Sequence, residues 1–207
     1  MQHAAPEMWG GEIYPEEQDY VTNVATKRYR EFTAGRLCAR EVLKKLGIDN
    51  FPLLVGDNRE PLWPSGIVGS ISHCRDNCIV VASMDRRIAG LGVDIEDIAP
   101  LEAEIIALVC RQKEKQWITN VYEPGYPDWA KIIFSAKESV YKCLFPAKNI
   151  HLDFKEVQIE FDIPNNEFIV DLFNREMAKF VDSYTMIGCF SYTNEYVYTG
   201  VELRKIE

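Results

Sequence analysis

Three observations predict an α+β fold for this 207-residue sequence. Helical spacing of apolar residues is concentrated in segments 22–46, 102–117 and 128–146, and strict two-residue alternation dominates after 157. The elements follow the order helix, loop, strands, helix, helix, strands, so a helix-plus-sheet theme occurs twice, with a possible boundary at 97–101.

The first helix rests on Phe32, Ala39, Leu43 and Leu46 recurring at helical spacing, with Gly47 as its stop. Its other side carries Arg36 and Arg40 at i, i+4, so both guanidinium groups can point one way. Prolines and glycines in Gly56-Asp57-Asn58-Arg59-Glu60-Pro61 and Trp63-Pro64-Ser65-Gly66 exclude a helix and predict loop. The apolar runs 79–83 and 88–95, separated by Met84-Asp85-Arg86-Arg87, read as a hairpin. A second helix covers 102–117, and a third starts at Asp128 as N-cap and ends at Pro146. Strands are expected at 157–161, 168–173, 186–192 and 196–203, with a tight turn at Pro164-Asn165-Asn166.

Composition is 47% hydrophobic and 27% charged, that of an ordinary compact protein able to bury its own core. No apolar run reaches 18 residues, and the first residues have neither a basic nor an apolar leader segment, so a cytoplasmic protein without a transmembrane segment is expected. The six cysteines lack CxxC spacing and histidine partners and read as reduced buried thiols. A net charge of −9 argues against nucleic-acid binding. Residues 27–45 nevertheless hold seven basic side chains against two acidic ones, which fits either a specific anionic ligand or a solvated helix face.

Three constellations could carry chemistry. In Gly92-Val93-Asp94-Ile95-Glu96, strand alternation puts Asp94 and Glu96 on one face. Two such carboxylates repel by on the order of 4 kcal/mol at about 4 Å with an effective dielectric near 20. A hard cation such as Mg²⁺ would relieve this, and hydration at a strand edge would do so too. In Phe134-Ser135-Ala136-Lys137-Glu138-Ser139-Val140-Tyr141-Lys142, Glu138 and Lys142 stand four apart on a helix, as a plain surface ion pair would. In Gly69-Ser70-Ile71-Ser72-His73-Cys74, hydroxyls, amides and an imidazole within one turn could hold a phosphate, although a lone histidine is more often structural.

Taken in order, these three motifs resemble the signatures of the two-halved 4′-phosphopantetheinyl transferases, and most closely the branch typified by enterobactin synthase component D. The segments Phe32-Thr33-Ala34-Gly35-Arg36-Leu37-Cys38-Ala39-Arg40 and Arg59-Glu60-Pro61-Leu62-Trp63-Pro64 extend the likeness, which spans 27–142. Phe134 stands where many relatives carry Trp, a substitution typical of this branch, and the first 20 or so residues match no family segment.

The resemblance implies a pseudo-dimer of similar α+β halves, 1–97 and 98–207, with coenzyme A in the cleft between them. It implies Mg²⁺, or Mn²⁺, on Asp94, Glu96 and Glu138, and coenzyme A contacts at Arg36, Arg59, Ser72, His73, Lys137 and Lys142. Arg36, Arg59, Ser72 and His73 are placed on the 3′-phosphate and Lys142 near the pyrophosphate; Glu138, Lys142 and His73 are the implied catalytic groups. The implied partners are apo acyl, peptidyl or aryl carrier domains, met by a monomer, with siderophore or nonribosomal peptide synthesis as setting. A coenzyme A-binding module without transfer activity and an unrelated Mg²⁺-dependent phosphohydrolase remain as alternatives.

Overall fold

The computed structural model describes residues 1–121 and 128–206. The first half combines β1 (Gln2–His3), a short helix α1 (Pro15–Gln18), the 20-residue helix α2 (Thr26–Lys45), β2 (Val68–Cys74) and β3 (Asn77–Ser83). The three strands form an antiparallel sheet in the order β1-β3-β2. Helix α2 lies on it, burying Cys38, Ala39 and Val42 against Cys78, Val80 and Trp9. Leu46 caps the helix and Gly47, at φ +81°, turns the chain away as its position after the last apolar residue predicts.

The second half contains β4 (Ile88–Asp97), α3 (Ala103–Val109), α4 (Gln112–Asn120), the 20-residue helix α5 (Trp129–Lys148), β5 (Val157–Asp162), β6 (Glu167–Leu172), α6 (Arg175–Val181), β7 (Tyr184–Tyr192) and β8 (Tyr196–Lys205). Its antiparallel sheet has the order β4-β8-β7-β6-β5. Ile132, Ala136, Val140 and Leu144 of α5 pack on Val157, Phe168, Phe190 and Val201. Each half is thus one long helix on an antiparallel sheet, the α+β pairing that the sequence predicts.

Several local expectations need correcting. The run 79–83 does not pair with 88–95. Its strand β3 turns back on β2 through Arg75, at φ +53°, whereas β4 crosses over to pair with β8. By sheet membership the change-over therefore comes between Ser83 and Ile88, earlier than 97. The helix expected over 102–117 is two, because Cys110 and Arg111 are extended and Glu114 Oε2 accepts the Arg111 amide at 2.6 Å, starting α4 anew. Helix α5 begins at the expected cap, Asp128 accepting from Ala130 N, but runs past Pro146 to Lys148. Helix α6, capped by Asn174, was not anticipated between two strands.

One packing feature positions the site. Gly90, Gly92, Asp94 and Glu96 share the face of β4 turned to α5. A Cβ on Gly92 would lie 1.8 Å from the Ser139 carbonyl oxygen, and one on Gly90 would lie 2.5 Å from that of Cys143, so strand and helix touch backbone to backbone there. Further along, Asp94 meets Ser135 and Glu96 approaches Lys131. Two strand residues advance about 6.6 Å and four helix residues about 6 Å, so the two rows stay in step over four contacts.

The two sheets meet at their edges. Ser70 Oγ accepts the Val93 amide at 3.1 Å and Ser72 Oγ the Ile95 amide at 3.3 Å. These hydroxyls satisfy alternate N–H groups that β4, an edge strand, leaves unpaired.

Candidate active site

Asp94 is the centre of the junction and is 3% exposed. Its Oδ1 accepts from Ser72 Oγ at 2.9 Å and from Lys142 Nζ at 2.6 Å, and its Oδ2 accepts from Ser135 Oγ at 2.8 Å. Thr199, opposite Asp94 on β8, holds Ser135 at 2.9 Å and Ser139 at 2.6 Å. The acid therefore sits where β2, β4, β8 and α5 converge, and Lys142 reaches it from the second half.

Glu96 lies on the same face with Lys131 Nζ at 3.8 Å, and Lys131 also contacts Asp97 at 3.5 Å. Burial, and then the Asp94 charge, push the Glu96 carboxyl up to about 7. Glu138 has no hydrogen-bond or ion-pair partner among the described residues; burial raises its carboxyl, Asp94 adds to this, and Lys142 opposes it. The plain surface pair Glu138–Lys142 is absent, since the Lys142 ammonium is spent on Asp94 and Ser72.

Two further pockets open beside this junction. One, about 580 Å³ with its open mouth, is lined by Arg59, Ser70, Tyr141, Lys142 and Phe145. The second, about 1150 Å³ counted the same way, is lined by Arg28, Arg36, Arg59, His73 and Glu31. Arg59 borders both and holds φ +69°, the left-handed region, in a turn closed by Gly56 N–H donating to Glu60 O at 2.8 Å. Such backbone strain in a non-glycine residue costs on the order of 1 kcal/mol and persists where the surroundings enforce it.

Arg36 is 7% exposed, its guanidinium 4.2 Å above the Phe32 ring, and it has no hydrogen-bond partner among the described residues; Nε is fully buried. Burial brings its pKa down to about 10. A buried cation that lines a pocket without a hydrogen-bond partner among the described residues is a group an anion would satisfy. Arg36 is thus not on an outer helix face: residues 13–21 strap across α2, burying Ile13, Glu17 and Val21. Arg40, its expected companion, is turned to the strap, 3.8 Å from the Tyr14 ring and 3.5 Å from Glu17.

Two residues implied as ligand contacts have protein partners in the fold. Ser72 and His73 are neighbours on a strand, not members of a turn, so they face opposite ways. His73 lines the arginine pocket, while Ser72 donates to Asp94 and accepts from Ile95 N and Lys142 Nζ, exhausting its hydroxyl. Lys137 lies on the far side of α5, 1% exposed, donating to Val109 O at 2.9 Å, Glu114 Oε2 at 2.8 Å and Phe154 O at 3.0 Å. All three of its donors are engaged within the core.

Among the described residues no three His, Cys, Asp or Glu side chains converge closely enough to hold one ion. The carboxylates of Asp94, Glu96 and Glu138 are of the chemical kind that a hard divalent cation takes. Glu96 and Glu138, both raised by burial with Asp94 adding, mark a site short of positive charge, and Glu138 is unengaged. The sequence did not single out Ser135, Thr199 or Lys131; Ser135 and Ser139 at i, i+4 beside two acids were the available signal.

Comparison with known proteins settles the family. Residues 90–198 match the 4′-phosphopantetheinyl transferase superfamily, and residues 16–83 match the 4′-phosphopantetheinyl transferase N-terminal domain. The chain belongs to the 4′-phosphopantetheinyl transferase superfamily. It is 37% identical over 152 residues to the 4′-phosphopantetheinyl transferase Svp of Streptomyces mobaraensis, covering 72% of this chain and 61% of Svp. The 4′-phosphopantetheinyl transferase PptT of Mycobacterium tuberculosis is 33% identical over 148 residues, covering 72% and 65%. Enterobactin synthase component D of Salmonella typhimurium is 37% identical over 126 residues, covering 60% and 51%. The chain thus spans less than two thirds of the length of these relatives. No helix among the described residues is long and apolar enough to cross a membrane.

Proposed function

We propose that this chain transfers the 4′-phosphopantetheine arm of coenzyme A to a serine of an apo acyl, peptidyl or aryl carrier domain, releasing adenosine 3′,5′-bisphosphate. The observation that carries the reading is the buried, unpaired Arg36 in a pocket it shares with Arg28, Arg59 and His73, which adjoins a second pocket bordered by Lys142. A ligand with a phosphate at one end and a diphosphate further along suits such a run of cations.

In this reading Arg36, Arg59 and His73 hold the 3′-phosphate and Lys142 lies by the diphosphate. The carrier serine oxygen attacks the phosphorus attached to the pantetheine arm, and the bridging oxygen leaves with adenosine 3′,5′-bisphosphate. Glu138 takes the serine proton; it has no ion-pair partner among the described residues, and burial raises its basicity. Asp94, Glu96 and Glu138 would hold a magnesium ion, which when bound supplies charge neutralisation at the diphosphate. Lys142, tethered by Asp94 and Ser72, would neutralise the departing group. Similarity to enterobactin synthase component D favours a siderophore carrier as acceptor. The buried thiols of Cys38, Cys78, Cys110 and Cys143 fit work in the reducing cytoplasm.

Intact-mass measurement of an apo carrier after incubation with the chain, coenzyme A and Mg²⁺ tests the proposal. A phosphopantetheinyl gain is expected; coenzyme A cleavage with the carrier unchanged would make the chain a phosphohydrolase, and no reaction would leave a binding module. Arg36→Ala is expected to raise the KM for coenzyme A about tenfold or more with kcat little altered, the loss of one charge-assisted phosphate contact. Steady-state rates against coenzyme A concentration check this.

Magnesium should raise the thermal midpoint more at pH 8 than at pH 6. The sign follows from Glu96, whose folded pKa is raised from 4.5 to about 7: the unfolded chain loses this proton first, so metal-free stability falls as pH rises through that window. A cation bound to the ionised carboxylate reverses the loss above it. Thermal melts with Mg²⁺ or chelator at both pH values check this, and Glu96→Gln should show a smaller difference between them.

A further inference from the structure

Glu31 is out of place in the arginine pocket. It is the one carboxylate among the described lining residues, set among Arg28, Arg36, Arg59 and His73, and only 13% of its side chain is exposed. Its Oε1 lies 3.7 Å from Lys27 Nζ, a side chain 82% exposed, and its Oε2 lies 3.9 Å from His73 Nδ1. Left to itself, a carboxylate here repels the anion that the other side chains attract, so its position calls for a compensating role.

We propose that Glu31 is a positioning residue, which draws Nδ1 of His73 toward itself and leaves Nε2 directed to the pocket as a charged donor for the 3′-phosphate. This rests on the pocket being the coenzyme A 3′-phosphate site. A histidine's free nitrogen is set by what the other nitrogen faces, and a carboxylate behind the ring stabilises the imidazolium. The groups acting on His73 come from every neighbouring element. Burial is the largest influence and lowers its pKa, Glu31 on α2 raises it, Arg28 on α2 and Lys142 on α5 lower it, and Asp94 on β4 raises it. Glu31 is thus the strongest influence that favours the charged ring, set against burial, which keeps the His73 pKa below the ordinary histidine value. The arrangement makes discrimination for the 3′-phosphate stronger as pH falls, because the donor is then charged.

The experiment compares coenzyme A with 3′-dephospho-coenzyme A by titration calorimetry at pH 6 and pH 8, in the wild-type chain and in Glu31→Gln, Glu31→Asp, His73→Ala and Glu31→Gln/His73→Ala. Wild type should prefer coenzyme A by about tenfold or more, the worth of a charge-assisted phosphate contact, and more so at pH 6. Glu31→Gln should lose most of that pH dependence and leave dephospho-coenzyme A binding unchanged; Glu31→Asp should do so more weakly. The effect of Glu31→Gln should vanish in the His73→Ala background, and the His73 ring signals in NMR should titrate at lower pH in Glu31→Gln. Equal or tighter coenzyme A binding by Glu31→Gln at both pH values, or additive effects in the double variant, overturns the role of Glu31. A wild type indifferent to the 3′-phosphate overturns the reading of the pocket itself.

Discussion

Asp94→Asn is expected to lower carrier modification by roughly 10³-fold or more while the protein stays folded. The amide keeps the shape of the carboxylate but accepts at one position only, so one of the hydrogen bonds from Ser72 and Ser135, which reach different oxygens, is kept and the other hydroxyl has to turn round. What disappears is charge. Lys142 loses the anion 2.6 Å from its ammonium, and the carboxylate proposed to hold a divalent ion no longer exists. Both cations proposed to face the diphosphate are therefore mispositioned by one substitution. Carrier-mass time courses measure the rate, and circular dichroism melts verify the fold; activity within tenfold of wild type would refute the place given to Asp94.

Lys137→Met is expected to cost about 3–5 kcal/mol of stability, because it strands Glu114 in the core without a counter-ion. Both side chains are 1% exposed and 2.8 Å apart. Glu114 also accepts from the amides of Arg111 at 2.6 Å and Ile159 at 2.8 Å, so it cannot turn outward to water. Adding Glu114→Gln, which removes the charge but keeps an acceptor for only one of these two amides, should restore part of the loss. For a chain of this length the single variant should melt on the order of 10 °C lower. Denaturant unfolding of the single and double variants measures this, and the KM for coenzyme A of the double variant should stay near that of wild type. A stable single variant with a raised KM would return Lys137 to the ligand.

Much of this arrangement is legible in the sequence where one element's period decides it. Strand alternation alone puts Asp94 and Glu96 together, and the glycines before them continue the same face, which is why α5 can lie against β4. The misplaced residues fail on the same kind of geometry. A helix turns about 100° per residue, so Lys137 lies about 200° round α5 from Ser135, whereas Ser139 and Lys142 lie close to it. The resemblance carried Lys137 to the ligand despite that angle. The resemblance likewise put Ser72 and His73 on one phosphate, whereas strand alternation turns the two side chains to opposite faces.

Other features have no local signal. The polar residues 84–87 look like a hairpin turn, yet β4 finds its partner more than 100 residues later in β8, a pairing fixed by the packing of both strands on α5. Arg36 is spaced like a solvent-facing arginine and is buried by the strap at 13–21, a segment without recognisable pattern. Its buried guanidinium, visible only in three dimensions, is what supports the proposed anion site.

Anomalous diffraction from crystals grown with Mn²⁺ and coenzyme A tests most directly whether the two halves meet over one diphosphate. A single metal peak in contact with Asp94, Glu96 and Glu138 and with diphosphate oxygens is expected, with Lys142 beside it and the 3′-phosphate on Arg36. Ordered coenzyme A with the metal elsewhere, or with Glu138 turned to solvent, would contradict the account.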